Sequence, residues 1–451
     1  MAPIECTGQG WVDMLGRSER RTRVEFLTLI ASFAIVLGAC SATPQATPPG
    51  STTPQASTDA PTSAAPSAVP SDLPSSALSA VPSDAPTQAP APTPKPTGKP
   101  APTPTPLPPV TGWTAAAVAI SGSNCFGASA QIDSANRLHI VATCGSGITY
   151  AVASVGGKWT TTKFPAPSGR QIVDPMLAVD GSTTYLAYSL ISDGACGGPL
   201  DTGVYVKTQS TPGGSWTAAT RIGTAGDGLE SFAEMGGTLD AVVLGGSKSY
   251  FETVAGATAH RYLISDVQAG ASDPVSLQMG TDGKARIAYT SDAGIRYGVF
   301  NGSGFTTTTI EKQDGFEWGA QLILDASNNP RILWMHSPPP LGCAGPDPTS
   351  KDGTYYATDA GGTWTSTRFT TDYGQIAFQR NDTTGVVYAV VTGYSEMDLY
   401  TRTSGGAWQT ASLTRLASND PILVRNSATG TMLFVFSVPG KGAYAMTRPG
   451  S

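Results

Sequence analysis

The stretch TDAGGTWTSTRF, Thr358 to Phe369, decides the fold, because its pattern returns along the chain. A Gly-rich turn leads to an aromatic residue and then to a Thr-rich segment. The same order occurs in GWTAAAVAI at Trp113, GGKWTTTKF at Trp159, GGSWTAATRI at Trp216, GSGFTTTTI at Phe305 and GGAWQTASL at Trp408. Successive aromatics stand 46, 57, 89, 59 and 44 residues apart. The step of 89 is nearly two units, and VAGATAHRYLI, Val254 to Ile264, fits inside it as a copy that has lost its aromatic. Self-similarity at this period is the mark of a repeat architecture.

Each unit has the same internal order. A polar loop precedes an apolar segment that ends near Asp, as in IVDPMLAVD and AQLILD. A Gly/Asn turn leads to a second apolar segment, such as TYLAYSL, RILWMHS or TMLFVFS. A third segment carries an aromatic, as in ITYAVAS, IRYGVF and TYYATD. Short runs bounded by Gly, Asp and Asn, with no sustained 3.6-residue period, read as strands. Four strands per unit of this length make a β-propeller blade. The chain ends on a third segment, GAYAMTRPGS, and the domain begins with an orphan fourth one at Trp113 to Ile120. The first strand therefore completes the last blade and closes the ring. The reading is an all-β, single seven-bladed β-propeller over residues 112–451, with six blades as the alternative.

The remainder of the chain differs in composition. Arg17, Arg20, Arg21 and Arg23 precede the apolar run FLTLIASFAIVLGA, Phe26 to Ala39, which is short for a membrane span. It ends in LGAC at Cys40, which resembles the lipobox of bacterial lipoproteins. That resemblance implies a signal peptide over residues 1–39, with Met14 as an alternative start, and a diacylated Cys40 that anchors the protein outside the cytoplasmic membrane, facing the cell wall or exterior. Residues 40–111 follow as a Pro/Ala/Thr/Ser-rich linker, expected to be disordered because it has little apolar surface to bury. At ~3.1 Å per residue the linker reaches on the order of 200 Å when extended. Charged residues make up only 13% of the chain and the net charge is −6, which argues against a nucleic-acid partner. A monomer is expected.

The Gly-Gly-x-Trp turns resemble the Asp-box, or bacterial neuraminidase repeat, of the sialidase-type propeller superfamily. Asp359, Gly361 and Trp364 match it well, while the copies at Trp159, Trp216 and Trp408 keep the glycines and Trp without the Asp. The resemblance implies structural roles: a carboxylate that ties a hairpin and a Trp that wedges against a neighbouring strand. It also implies that any ligand site lies on the opposite face of the ring. A sialidase of this family would need three arginines, a Tyr–Glu pair and an Asp acid/base. Only Arg170 falls in the connections of the expected face, so that constellation is not visible.

Two connections on that face are long: Ser189 to Gly203 in the second blade and His336 to Gly353 in the fifth. Long loops on a rigid scaffold are where binding concentrates. Arg170, Trp318, His336 and Tyr373 are therefore candidate binding residues. Asp227, Glu230, Asp314, Glu317 and His336 are candidate catalytic groups, since paired carboxylates can serve as acid and base. No cofactor is implied and no metal spacing is recognisable, because the chain has only three histidines, dispersed. Cys125 and Cys144 flank the turn DSAN symmetrically, which places them opposite each other as a disulfide; Cys196 and Cys343 occupy equivalent positions in the two long loops and are a second candidate pair. The functional expectation is a tethered, non-catalytic module that binds a glycan or protein. The alternative is a divergent sialidase-like hydrolase or lyase using carboxylates at the channel mouth.

Overall fold

A computed structural model describes residues 110–450 apart from 193–201, 257, 268–273, 315, 338–350, 360–361, 373, 393–396, 404–405 and 415–418. The described residues form seven four-stranded antiparallel sheets. Strand β1 (Ala117–Ser121) comes first in the chain and last in the ring. Blade one holds β2 (Cys125–Ile132), β3 (Arg137–Cys144), β4 (Gly147–Ser154) and β5 (Thr160–Phe164). Blade two holds β6 (Arg170–Asp180), β7 (Thr183–Ser192), β8 (Gly203–Gln209) and β9 (Thr220–Ile222). Blade three holds β10 (Gly228–Met235), β11 (Thr238–Gly245), β12 (Lys248–Ala255) and β13 (Thr258–Leu263), and blade four holds β14 (Ser276–Met279), β15 (Ala285–Ser291), β16 (Gly294–Phe300) and β17 (Phe305–Lys312). Blade five holds β18 (Phe316–Leu324), β19 (Pro330–Ser337), β20 (Gly353–Thr358) and β21 (Thr365–Thr370), and blade six holds β22 (Ile376–Arg380), β23 (Val387–Thr392), β24 (Met397–Arg402) and β25 (Trp408–Thr414). Blade seven is β26 (Asn419–Arg425), β27 (Met432–Val438) and β28 (Gly442–Arg448), completed by β1.

Seven blades are present, not six. β1 pairs with β28 in the register Ala117 to Ala445 and Val118 to Tyr444, so the first strand closes the ring as expected. Trp113 lies in the turn ahead of β1 rather than within it. The innermost strands follow one another around the ring, and β26 returns to β2. Serines clasp neighbouring inner strands: Ser129 Oγ accepts the Leu177 N–H, Ser231 Oγ the Leu277 N–H and Ser276 Oγ the Leu322 N–H, at 3.1, 3.1 and 3.0 Å. At the closure, Asn426 Nδ2 donates to the Asp133 carbonyl at 2.7 Å.

Burial explains the sequence pattern. Second strands lie between two neighbouring blades, so β15, β23 and β27 are buried at every position and read as mainly apolar runs. Fourth strands lie at the rim, and β5 is exposed over TTTK. The turn aromatics join the blades. Trp216 meets Tyr150 of the preceding blade edge-on at 5.2 Å, Phe305 meets Phe251 at 5.3 Å, Trp364 meets Tyr297 at 5.4 Å and Trp408 meets Tyr356 at 5.6 Å. Each partner is the aromatic of a third strand, which accounts for that second repeated position.

The turns themselves are held by the backbone. Gly362 N–H donates to the Asp359 carbonyl at 2.7 Å, and Gly157, Gly214 and Gly406 make the same bond to Ser154, Thr211 and Thr403. The copies without Asp thus close as the Asp359 copy does. Burial pushes the Asp359 carboxyl up, with the Asp325 carboxylate adding repulsion. Trp364 has the wedging role expected of it; Gly361 lies outside the described residues. Cys125 and Cys144 are a register pair and form a disulfide with 4.2 Å between Cα atoms. Cys196 and Cys343 lie outside the described residues.

Two expectations follow. A chain beginning at residue 122 lacks β1 and leaves the β28 edge unpaired; it is expected to self-associate on size-exclusion chromatography while a chain beginning at residue 110 stays monomeric, since open edges template pairing. Asp240 is only 3% exposed, and burial, with Glu234 adding repulsion, pushes its carboxyl up to about 6. Its folded pKa lies above the ordinary 3.8, so its contribution is full below pH ~4 and is lost as pH rises through about 6. Denaturant titration is expected to show stability falling by on the order of 2 kcal/mol over that window, and Asp240→Asn is expected to flatten the fall.

Candidate functional site

Strand polarity places the connections into each first strand, and those between second and third strands, on one face of the ring. In blade five three segments meet there. The connection into β18 carries Asp314, β18 opens with Glu317 in its second position, and β19 carries His336 near its end. Register pairs Glu317 with His336 and His336 with Gly353, so Lys351 and Asp352 arrive beside the imidazole. His336 Nε2 lies 3.1 Å from Asp314 Oδ1 and 3.9 Å from Glu317 Oε1, and Asp352 Oδ1 stands 3.7 Å from Nδ1 on the other side of the ring. The Asp314 N–H donates to Glu317 Oε1 at 3.0 Å. Lys351 Nζ pairs with Asp314 Oδ2.

The environments of the two carboxylates differ. The Lys351 ammonium and the neighbouring His336 hold the Asp314 carboxyl below its usual range, so it is ionised and partly exposed. Glu317 is only 2% exposed, and its Oε2 has no hydrogen-bond partner among the described residues. A cleft of about 430 Å³ opens above them, lined by Asp314, Trp334, His336, Lys351, Tyr355 and Arg368. Trp334 forms its buried back, stacked on Tyr355 with 5.5 Å between centroids.

Other predicted residues do not join this group. Asp227 lies in blade three, where Arg261 Nη1 reaches Asp227 Oδ2 at 2.6 Å and Glu252 Oε1 at 2.8 Å. The Arg261 guanidinium also sits over the Tyr250 ring at 3.9 Å, so this network is a structural clasp. Glu230 is half-buried on β10, and burial pushes its carboxyl up. Arg170 is the first residue of β6 rather than a loop residue, and it donates to the Gly169 carbonyl. Trp318 packs in the apolar cluster between blades five and six. Tyr373 lies outside the described residues. His139 is fully buried between Tyr150 Oη at 2.7 Å and Asp133 Oδ2 at 3.2 Å.

The arginines also disperse. Arg286 pairs with Asp282 and Arg331 with Asp325, at turns on the opposite face. Arg296 donates to Thr307 and Thr309 along the outer strand. No arginine triad converges at the mouth among the described residues. Sequence reasoning named Asp314, Glu317 and His336 separately and missed Lys351, Asp352 and Tyr355. The available signal was register: with Glu317 opposite His336, and His336 opposite Gly353, the two residues ahead of Gly353 must lie beside the ring. Two carboxylates fold onto His336, a proximity that spacing along the chain does not show.

No protein-family model matches the chain, and no curated protein matches it. Among solved structures, a catalytically inactive histidine-to-alanine variant of virginiamycin B lyase from Staphylococcus aureus with quinupristin has a TM-score of 0.50 at 10% identity, covering 74% of this chain and 99% of that one. The NanB sialidase from Streptococcus pneumoniae gives 0.41 at 10% identity, covering 73% and 68%. The Trypanosoma rangeli sialidase in complex with sialic acid gives 0.41 at 9%, covering 72% and 54%. At these identities the likeness is one of fold. This chain is similar in architecture to β-propellers whose solved examples include sialidases.

Proposed function

We propose that this protein is an exported β-propeller lipoprotein that binds a glycan without cleaving it, through the blade-five cleft. The Arg cluster, apolar run and Cys40 support lipid anchoring outside the cell, and the Pro-rich segment supports a spacer role. The observation that carries the binding reading is the cleft itself. It sets an ionised carboxylate, an ammonium, an imidazole and a guanidinium around Tyr355, which stacks on the buried Trp334. Convergent polar groups beside an aromatic surface suit a hydroxyl-rich ligand.

The same geometry disfavours glycoside hydrolysis. Glu317 is buried and Asp314 is held ionised, so neither is placed to act as an exposed general acid. A protein ligand is the other occupant the test distinguishes.

Glycan-array binding by the full chain, run beside a panel of fluorogenic glycosides, tests this reading. Binding without turnover is expected, reduced at least tenfold by Tyr355→Ala and by Arg368→Ala. Turnover abolished by Glu317→Gln, or glycan binding indifferent to both cleft substitutions, contradicts it.

A further inference from the structure

The blade-five cluster has a feature that a cleft for neutral hydroxyls does not require. Glu317 is 2% and His336 7% exposed, and both face the carboxylate of Asp314. Glu317 Oε2 is buried with no hydrogen-bond partner among the described residues, an arrangement that costs free energy unless something occupies it. His336 Nε2 lies 3.1 Å from Asp314 Oδ1 and 3.9 Å from Glu317 Oε1, between two carboxylates. One ligand atom from each of Asp314, Glu317 and His336 lies within 4.8 Å of the others.

From this geometry we infer that Asp314, Glu317 and His336 form a divalent transition-cation site, with zinc as the fitting ion. Tetrahedral ligands at ~2.1 Å from zinc stand roughly 3.4 Å apart, so small side-chain rotations close the set around one ion. One imidazole with two carboxylates suits zinc or manganese, whereas calcium takes six or more oxygens, and three side chains do not supply them. Asp352 beyond Nδ1 is placed to orient the ring, as carboxylates behind metal-binding imidazoles do. Three protein ligands leave a fourth position open, and here it faces the cleft.

Lys351 marks the same spot from the other side. Its ammonium pairs with Asp314 Oδ2 on a side chain that remains 66% exposed, so this carboxylate already attracts a cation. An ion at Oδ1, the oxygen beside His336 Nε2, would sit close to that ammonium and be repelled by it. The site therefore makes an uncommon demand: removal of a lysine should tighten metal binding.

Isothermal titration calorimetry of the chelator-treated full chain with zinc chloride alone reads the site without any glycan. One ion per chain is expected, with micromolar affinity. Asp314→Asn should weaken it at least tenfold, and Lys351→Ala should tighten it by about tenfold. Both positions are solvent-accessible, so these variants are expected to fold, and matching circular dichroism spectra check this. A crystal soaked in zinc should give an anomalous peak bonded to His336 Nε2. The inference is overturned if wild type takes up no zinc, if both substitutions leave the affinity unchanged, or if calcium binds more tightly than zinc. Glycan binding that persists in chelator, with no zinc uptake, would leave the binding reading standing and remove this one.

Discussion

The ring depends on an aromatic of one blade meeting an aromatic of the blade before it. Trp216, Phe305, Trp364 and Trp408 each approach a third-strand ring edge-on, at 5.2 to 5.6 Å. Such pairs contribute roughly 0.5–1.5 kcal/mol beyond their buried area and prefer this tilted geometry. They fix both the separation and the angle between sheets. Where the pairing partner is small, as at Ala443 and Ala445 of blade seven, Trp159 still packs against the cluster that joins blades seven and one. Blade three has no aromatic at the turn ahead of β13, and the Asp227–Glu252–Arg261 network clasps that blade at its mouth end.

This division of labour gives the Gly-Gly-x-Trp turn a structural meaning. The glycine N–H closes the turn on a backbone carbonyl in four copies, with or without an Asp. Trp364 delivers the wedge. The far end of the same blade carries the polar cluster, with Asp314, Glu317, His336, Lys351 and Asp352 drawn from two connections and two strands. A rigid sheet between them lets one end hold the ring while the other presents charge at the mouth.

The fold was readable because a blade repeats its demands. Most units carry a Gly at the turn, an aromatic after it and a mainly apolar second strand, so seven noisy copies reinforce one pattern. The Cys125–Cys144 pair was readable for a similar reason, since both residues flank a short turn symmetrically. The site occurs once, and no repetition exposes it. Asp314, Glu317 and His336 were visible as candidates, but their meeting depends on the register between β18, β19 and β20. Lys351 and Asp352 appeared only as the end of a long loop. The backbone bond that closes the Asp359 turn also closes the copies without Asp, so the turn repeats more faithfully than the Asp-box motif does.

The wedge is open to direct measurement. A double-mutant cycle on Trp408 and Tyr356, using Trp408→Ala, Tyr356→Ala and the double variant in denaturant titrations, isolates their coupling from the loss of either side chain alone. A favourable coupling of about 1 kcal/mol is expected for edge-on rings at 5.6 Å. Additive losses, with coupling near zero, would contradict the view that these contacts set the blades.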